Sequence, residues 1–317
     1  MLALHTDIGN RQRGVALITI LLIVALLTAI VSRIGLSSQI WVRQVENGSA
    51  LAQADQASRA AQIWVAKILE QDDNNIDAAT DLWARPLPPI PAGHGVLFGW
   101  VEDMQSRFNL NNLVDTEGKL DGLAMQRFER LLQILELNPG IAQAVADWID
   151  ADGSPAGPWG AEDVYYISLE TPYFAANRRF DDASELRLVR GVDLKAWQKL
   201  ELYVSALPEA TPINMNTVST EVLAAVITEW ELSGQAMDLA EKWTTAIAQQ
   251  PEQDMNNIAE KLLGSKEMPV PTGLDLGTRF FMAHTQTNFD NVVYRMATLY
   301  QRDKASAKIL RHNRELL

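Results

Sequence analysis

The chain has 317 residues, a net charge of −13 and no cysteine. Disulfides and thiol catalysis are excluded, and so acidic a surface argues against a nucleic-acid partner, which needs cations to replace the counterions of phosphate. In chain order the first element is an uncharged run from Val15 to Val31, preceded by Arg11 and Arg13. Its length, about 17 residues, is near the lower limit for a helix that crosses a bilayer. A secretory signal would carry a shorter apolar run and then a small-residue cleavage site. Here no proline occurs between Val15 and Arg85. Trp41, Val45, Leu51, Ala54, Ala57, Ala61, Trp64 and Ile68 continue at spacings of mainly three and four, as one apolar stripe. The pattern predicts a single helix of roughly 55 residues, on the order of 80 Å long, from Val15 to about Glu70.

Asp72-Asp-Asn-Asn75 then stops the helix, and the proline-rich run Arg85 to Pro91 reads as a stiff connector. Val96 to Val101 and Arg107 to Asn111 read as strands, as do Phe280 to Thr285, Val292 to Tyr300 and Lys308 to Arg311 near the C-terminus. Between these groups the periodicity is helical. Helices are expected over Leu120–Leu135, Ile141–Ile149, Glu185–Val189, Asp193–Leu200, Thr220–Trp230, Ala236–Gln249 and Glu252–Leu263. The economical fold is α+β: a long N-terminal helix on an antiparallel sheet that is interrupted by a large helical insertion. The expected divisions are 1–14, 15–113, 114–274 for the insertion and 275–317 for the closing strands.

A polar leader ending in Gly14, directly followed by an apolar half-helix that runs on into a soluble one, resembles the type IV pilins. That likeness implies a cut by a prepilin peptidase between Gly14 and Val15. Pilins usually carry Glu at the fifth mature position, where this chain has Thr19. An unpaired carboxylate in lipid is expensive, so a subunit with no neighbour ahead of it is better without one. The absence is similar to the K-type minor pseudopilin of type II secretion. Five segments resemble that family in order: Arg107-Phe-Asn-Leu-Asn-Asn-Leu113, Asp147-Trp-Ile-Asp-Ala-Asp152, Gly160-Ala-Glu-Asp163, Ser184-Glu-Leu-Arg-Leu-Val-Arg-Gly191 and Ile213-Asn-Met-Asn-Thr217. The resemblance implies a type IV pilin-like fold with an inserted helical domain. It also implies a single-pass inner-membrane anchor with a periplasmic head, and a place at the pseudopilus tip. Implied partners are I-type and J-type minor pseudopilins, the major pseudopilin and the prepilin peptidase.

The sharpest chemical feature is the acidic segment from Asp147 to Asp163. Asp147 and Asp150 lie three apart, Asp152-Gly153 turns the chain, and Glu162 and Asp163 return after a Gly/Pro-rich loop. Five carboxylates in so irregular a loop repel unless neutralised, and hard oxygens from a loop suit Ca²⁺. The spacing is no EF-hand, since the twelfth position from Asp150 is Ala161. Without a cation the same residues are a helix end and a solvated turn. The family resemblance favours structural Ca²⁺ held by Asp147, Asp150, Asp152, Glu162 and Asp163, with Asn177 as a weaker ligand and Glu185 as a cap of the helix after Ser184.

Nothing in the sequence supports catalysis. The four histidines are scattered, no nucleophile elbow or phosphate loop is present, and Gly93 to Gly99 leads into a strand and reads as a turn. Ile213 to Leu223 looks like half of a helix-hairpin-helix, but its phosphate-binding hairpin is missing, so Ser219 or Thr220 is read as a helix N-cap. Trp41, Trp64, Trp83, Trp100 and Trp148 read as core and interface residues. A rival reading is a single-span, membrane-anchored periplasmic protein that binds a ligand in a calcium-dependent way.

Overall fold

A computed structural model describes residues 9–73, 75–227, 234–264, 270–289, 292–304 and 306–315. Helix α1 runs without a break over Gly9–Gln71, through the expected cut and as far as the acidic stop. Over Val15 to Val45 its large apolar side chains are exposed, with no head beside them. From Ala50 upward one face turns inward. Ala50, Ala54, Ser58, Ala61, Gln62, Val65 and Leu69 are buried against a five-stranded antiparallel sheet. This corrects the predicted stripe: Trp41 and Val45 stand 69% and 64% exposed below the head, and Trp64 is 44% exposed. The alanines explain the choice of face, because small side chains let a helix approach a sheet closely. Of the five tryptophans singled out by sequence, only Trp83 and Trp148 are buried.

The strands of that sheet are β1 (Leu87–Ala92), β2 (Gly95–Asp103), β7 (Phe280–Phe289), β8 (Val292–Asp303) and β9 (Ser306–Glu315), in that order across the sheet. β1 is the run expected to be a connector. Its prolines do not prevent a strand because β1 is an edge, where one side needs no donor. A turn at Gly93, with φ +61°, returns the chain into β2. On β7, Phe281, Ala283, Thr285, Thr287 and Phe289 alternate toward α1. Ser58 meets Thr287 at 3.1 Å, and Gln62 Nε2 donates to Thr298 Oγ1 at 2.8 Å.

β2 and β7 are neighbours, in register from Gly95↔Phe289 to Asp103↔Phe281, so everything between Asp103 and Phe280 is spliced between two adjacent strands. That insertion holds α2 (Gly122–Ile134), α3 (Ile141–Ile149), α4 (Asp163–Ile167), α5 (Leu194–Leu200), α6 (Thr220–Ile227), α7 (Ala236–Gln249) and α8 (Asn257–Leu263). Two parallel two-residue pairings join it: β3 (Phe108–Asn109) with β4 (Val204–Ser205), and β5 (Ile213–Asn214) with β6 (Leu274–Asp275). The core of the insertion is continuous, from Phe108, Leu110 and Leu113 through Phe128, Val145, Tyr166, Leu186 and Leu223 to Leu276. The stretch Thr220–Trp230 is helical to Ile227, and its last residues lie outside the described ones. α8 starts at Asn257, five residues later than expected, because the Glu252 carboxylate accepts from the N–H groups of Gln253 and Asp254 and holds that stretch in a turn.

Two family-like segments prove to be clips. Arg107 to Asn111, expected as a strand, is only β3 followed by a 3-10 turn, because its asparagines bond to distant backbone in place of a sheet ladder. Asn111 Nδ2 donates to the carbonyls of Phe180 and Leu207, and Asn109 Nδ2 to that of Glu209. Asn214 donates to Asp77 O and to Asp103 Oδ2, where Thr217 Oγ1 also donates at 2.5 Å. Asp103 is where the chain leaves the sheet, so these bonds seat the insertion on it. The stretch from Glu185 is a 3-10 turn over Ala183–Leu188 with Asp182 at its N-cap, and Glu185 does cap it, accepting from Asp181 N and Asp182 N. Asp182 and Glu185 form a reciprocal capping box. At α6, Ser219 Oγ accepts from Val222 N, as a cap should.

Candidate metal centre and family membership

The acidic segment folds back on itself through two helix ends. Asp147 lies on α3, Asp150 caps its C-terminus, and Glu162 stands at the N-cap position of α4. One carboxylate oxygen each from Asp150, Asp152 and Glu162 lies within 4.8 Å of the others. Asp147 is fully buried beside them; its Oδ1 accepts from Ala156 N at 2.8 Å. Asp152 is exposed and accepts from Ser154 N.

Three oxygens in this group are buried without a hydrogen-bond partner: Asp147 Oδ2, Asp150 Oδ1 and Glu162 Oε1. The nearby guanidiniums are engaged elsewhere. Arg178 pairs with Asp181 and Glu185, and Arg190 donates to Gly160 O while lying over Tyr165. Burial, then repulsion from Asp152 and Asp147, pushes the Asp150 carboxyl up to about 6. Burial, then Asp147, Asp150, Asp152 and Asp163, pushes Glu162 up to about 7. Burial likewise raises Asp147. Orphaned, buried, hard oxygens that repel one another fit a Ca²⁺ ion, which would supply the missing positive charge.

The structure does not bring all six predicted residues together. Asp163 Oδ1 is committed to Ala175 N at 2.9 Å, which leaves it supporting the loop that follows. Asn177 donates its main-chain N–H to Trp148 O and has φ +45°, a backbone role that its sequence position did not announce. Gly160 was missed as a site residue. A Cβ there would stand 2.4 Å from Asp147 Oδ2, so only glycine leaves room for that oxygen. A second acidic group, Asp72, Asp77 and Asp81, was also missed. Its partner Arg302 is far away in sequence, which is why no local signal exposed it. Arg302 pairs with Asp77 and lies 3.3 Å from Asp72.

One apolar helix, long enough to cross a membrane, running into a helix-on-sheet head with a helical domain spliced between neighbouring strands, defines a pilin-like subunit with an enlarged head. The comparisons with known proteins agree. A family model described as type II secretion system, protein K, matches residues 106–209. The type II secretion system protein K of Pseudomonas aeruginosa is 36% identical over 92% of this chain and 90% of its own length. That of Aeromonas hydrophila is 31% identical over 95% and 96%. In fold, the chain matches a chain in the crystal structure of the GspK-GspI-GspJ complex from enterotoxigenic Escherichia coli. The TM-score is 0.70 at 23% identity, covering 86% of this chain and all of that one. The chain therefore belongs to the type II secretion system protein K family, the minor pseudopilins of that machine. A free-standing anchored binding protein is not favoured.

Proposed function

We propose that this subunit ends the pseudopilus. A prepilin peptidase cuts between Gly14 and Val15, α1 holds the product in the inner membrane with its head in the periplasm, and assembly then draws it to the filament tip. It serves the export of folded proteins as a structural part, without catalysis. Its neighbours are I-type and J-type minor pseudopilins, with the major pseudopilin below. The name of the solved complex, which joins K, I and J subunits, supports the first two.

The observation that carries the tip reading is the insertion between β2 and β7. Where shafts like α1 pack side by side, each head has another above it, and a head widened by a second core fits only at the end. Thr19 supports the same reading. Its hydroxyl donates back to Val15 O and Ala16 O, so it brings no unsatisfied group into lipid and asks nothing of a neighbour. Ca²⁺ on Asp147, Asp150, Asp152 and Glu162, with Asp163 bracing the loop, keeps the insertion in shape. Intact-mass analysis of the membrane-extracted protein tests the anchor: the expected product lacks Met1 to Gly14, and one that keeps Arg13 removes the pilin-type processing. Counting labelled copies on isolated pseudopili tests the tip: one per filament end is expected, and copies along the shaft would remove that position.

A further inference from the structure

The sheet has two edges, and they are built in opposite ways. β1 carries Pro88, Pro89 and Pro91, which have no N–H to offer a further strand. β9 has neither proline nor glycine along its ten residues. Arg302 N donates to Arg279 O on the β7 side, so Ala307, paired with Arg302, turns its N–H outward. Counting from there through the bulge at Leu310, the N–H groups of Ile309, His312 and Arg314 also face away from β8. Among the described residues, the group that meets this edge is the Glu70 carboxylate, on Ala307 N at 3.4 Å.

The side chains along β9 define what it would accept. Ile309 and Leu310, near its middle, are each 42% exposed. Around them stand Lys308, Arg311, His312 and Arg314 against one acid, Glu315, in a chain whose net charge is −13. Arg311 pairs with Asp182 and Arg314 lies over the Tyr294 ring, yet the strand as a whole stays cationic. A long edge with an apolar centre is a template for another strand unless covered, and cations along it reject a basic strand while favouring an acidic one. Side by side, two β9 strands would bring two edges of the same net positive charge together, which disfavours a second copy.

We infer that β9 accepts an extended segment of a neighbouring pseudopilin, apolar at its centre and acidic at its flanks, as a sixth strand of the sheet. The inference rests on the assembly reading above. The proline device of β1 supplies the test. Ile309→Pro and His312→Pro each remove an outward N–H and leave the bonds to β8 in place.

The measurement is amide hydrogen exchange on the full chain in detergent, alone and with purified I-type and J-type subunits. The amides of Ile309, His312 and Arg314 should slow at least ~tenfold in the complex. Ile309→Pro should melt within ~2 °C of the unmodified chain and bind its partners about tenfold or more weakly. Lys308→Glu should weaken binding at low salt and much less at high salt. A complex in which these amides exchange as in the free chain overturns the inference, as does a well-folded Ile309→Pro that binds like the wild type. Protection in the chain alone at high concentration would assign the edge to a second copy and overturn the occupant named here. If the unmodified chain joins neither partner, the assembly reading and this inference fall together. Should Ile309→Pro melt early, exchange on the unmodified chain decides alone.

Discussion

Two acidic groups lie in this molecule, and they meet their charge in different ways. At the top of α1, Asp77 is fully buried and Asp72 half-buried, and Arg302, itself only 2% exposed, reaches in from β8 to both. In the insertion, Asp147, Asp150 and Glu162 are as buried, but the guanidiniums near them are held elsewhere and three oxygens are left over. The first group carries a cation in the sequence, although Asp77 Oδ1 is left without a partner there too; the second, on the function proposed above, takes its cation from solution. A buried guanidinium leaves the sheet side without need of a divalent cation, whereas on the proposed reading the firmness of the loop follows the supply of one.

Breaking the internal pair should have the largest effect. Arg302→Met leaves Asp77 buried and uncompensated, a loss of about 3–5 kcal/mol in stability by thermal or denaturant unfolding, and changing Asp77 to Leu as well should recover most of it. Calcium should not rescue the single variant. Next comes the metal itself: a cation that binds only the folded form adds ~2.7 kcal/mol at a hundredfold excess over Kd, seen as a melting rise of about 5 °C between EDTA and millimolar Ca²⁺. Asp150→Asn with Asp152→Asn should abolish that rise; equal melting in both buffers would return these carboxylates to a solvated turn. Gly160→Ala places a methyl against Asp147 Oδ2, so about 1–3 kcal/mol of stability and most of the calcium response should go together.

The smallest effect is on pH. Asp150, Glu162 and Asp77, the last pushed by burial up to about 7 against the pull of Arg302, bind protons more tightly folded than unfolded. Their contribution to stability in EDTA is therefore fullest below the ordinary carboxylate range and declines as pH rises toward 7. Melting in EDTA should be lower at pH 8 than at pH 5, and calcium should narrow the gap. A rise in melting temperature over that range would contradict the burial of these groups.

The parts legible in sequence are those whose signal is local. α3 and α7 begin and end where their apolar periodicity does, and α1 runs to the acidic stop. The alternation of β7 shows which face meets the helix. The proline run misled because a strand's place at the edge of a sheet is a tertiary fact, invisible in Leu87–Ala92 itself. Arg107 to Asn111 misled because its asparagines serve backbone groups about a hundred residues away. Trp41 and Trp64, read as core or interface residues, stand outside the core because periodicity tells where a face is, not how far the head extends along it. Of the candidate metal site, the loop and its charges were visible; which oxygens stay unpaired was decided by Ala156 N, Ala175 N and the open space at Gly160.

The adjacency of β2 and β7 also sets an order of events in synthesis. Until the chain has been made past Phe280, β2 has only β1 as a partner, and a lone hairpin with three prolines is barely stable. The insertion, by contrast, can bury its core from Phe108 to Leu262 while the last strands are still missing. Helical contacts of short sequence separation form early, and the long-range pairing of the sheet closes late. The insertion is thus expected to become a folded body first, with the pilin-like part that it interrupts assembled around it and β9 added after β7 and β8.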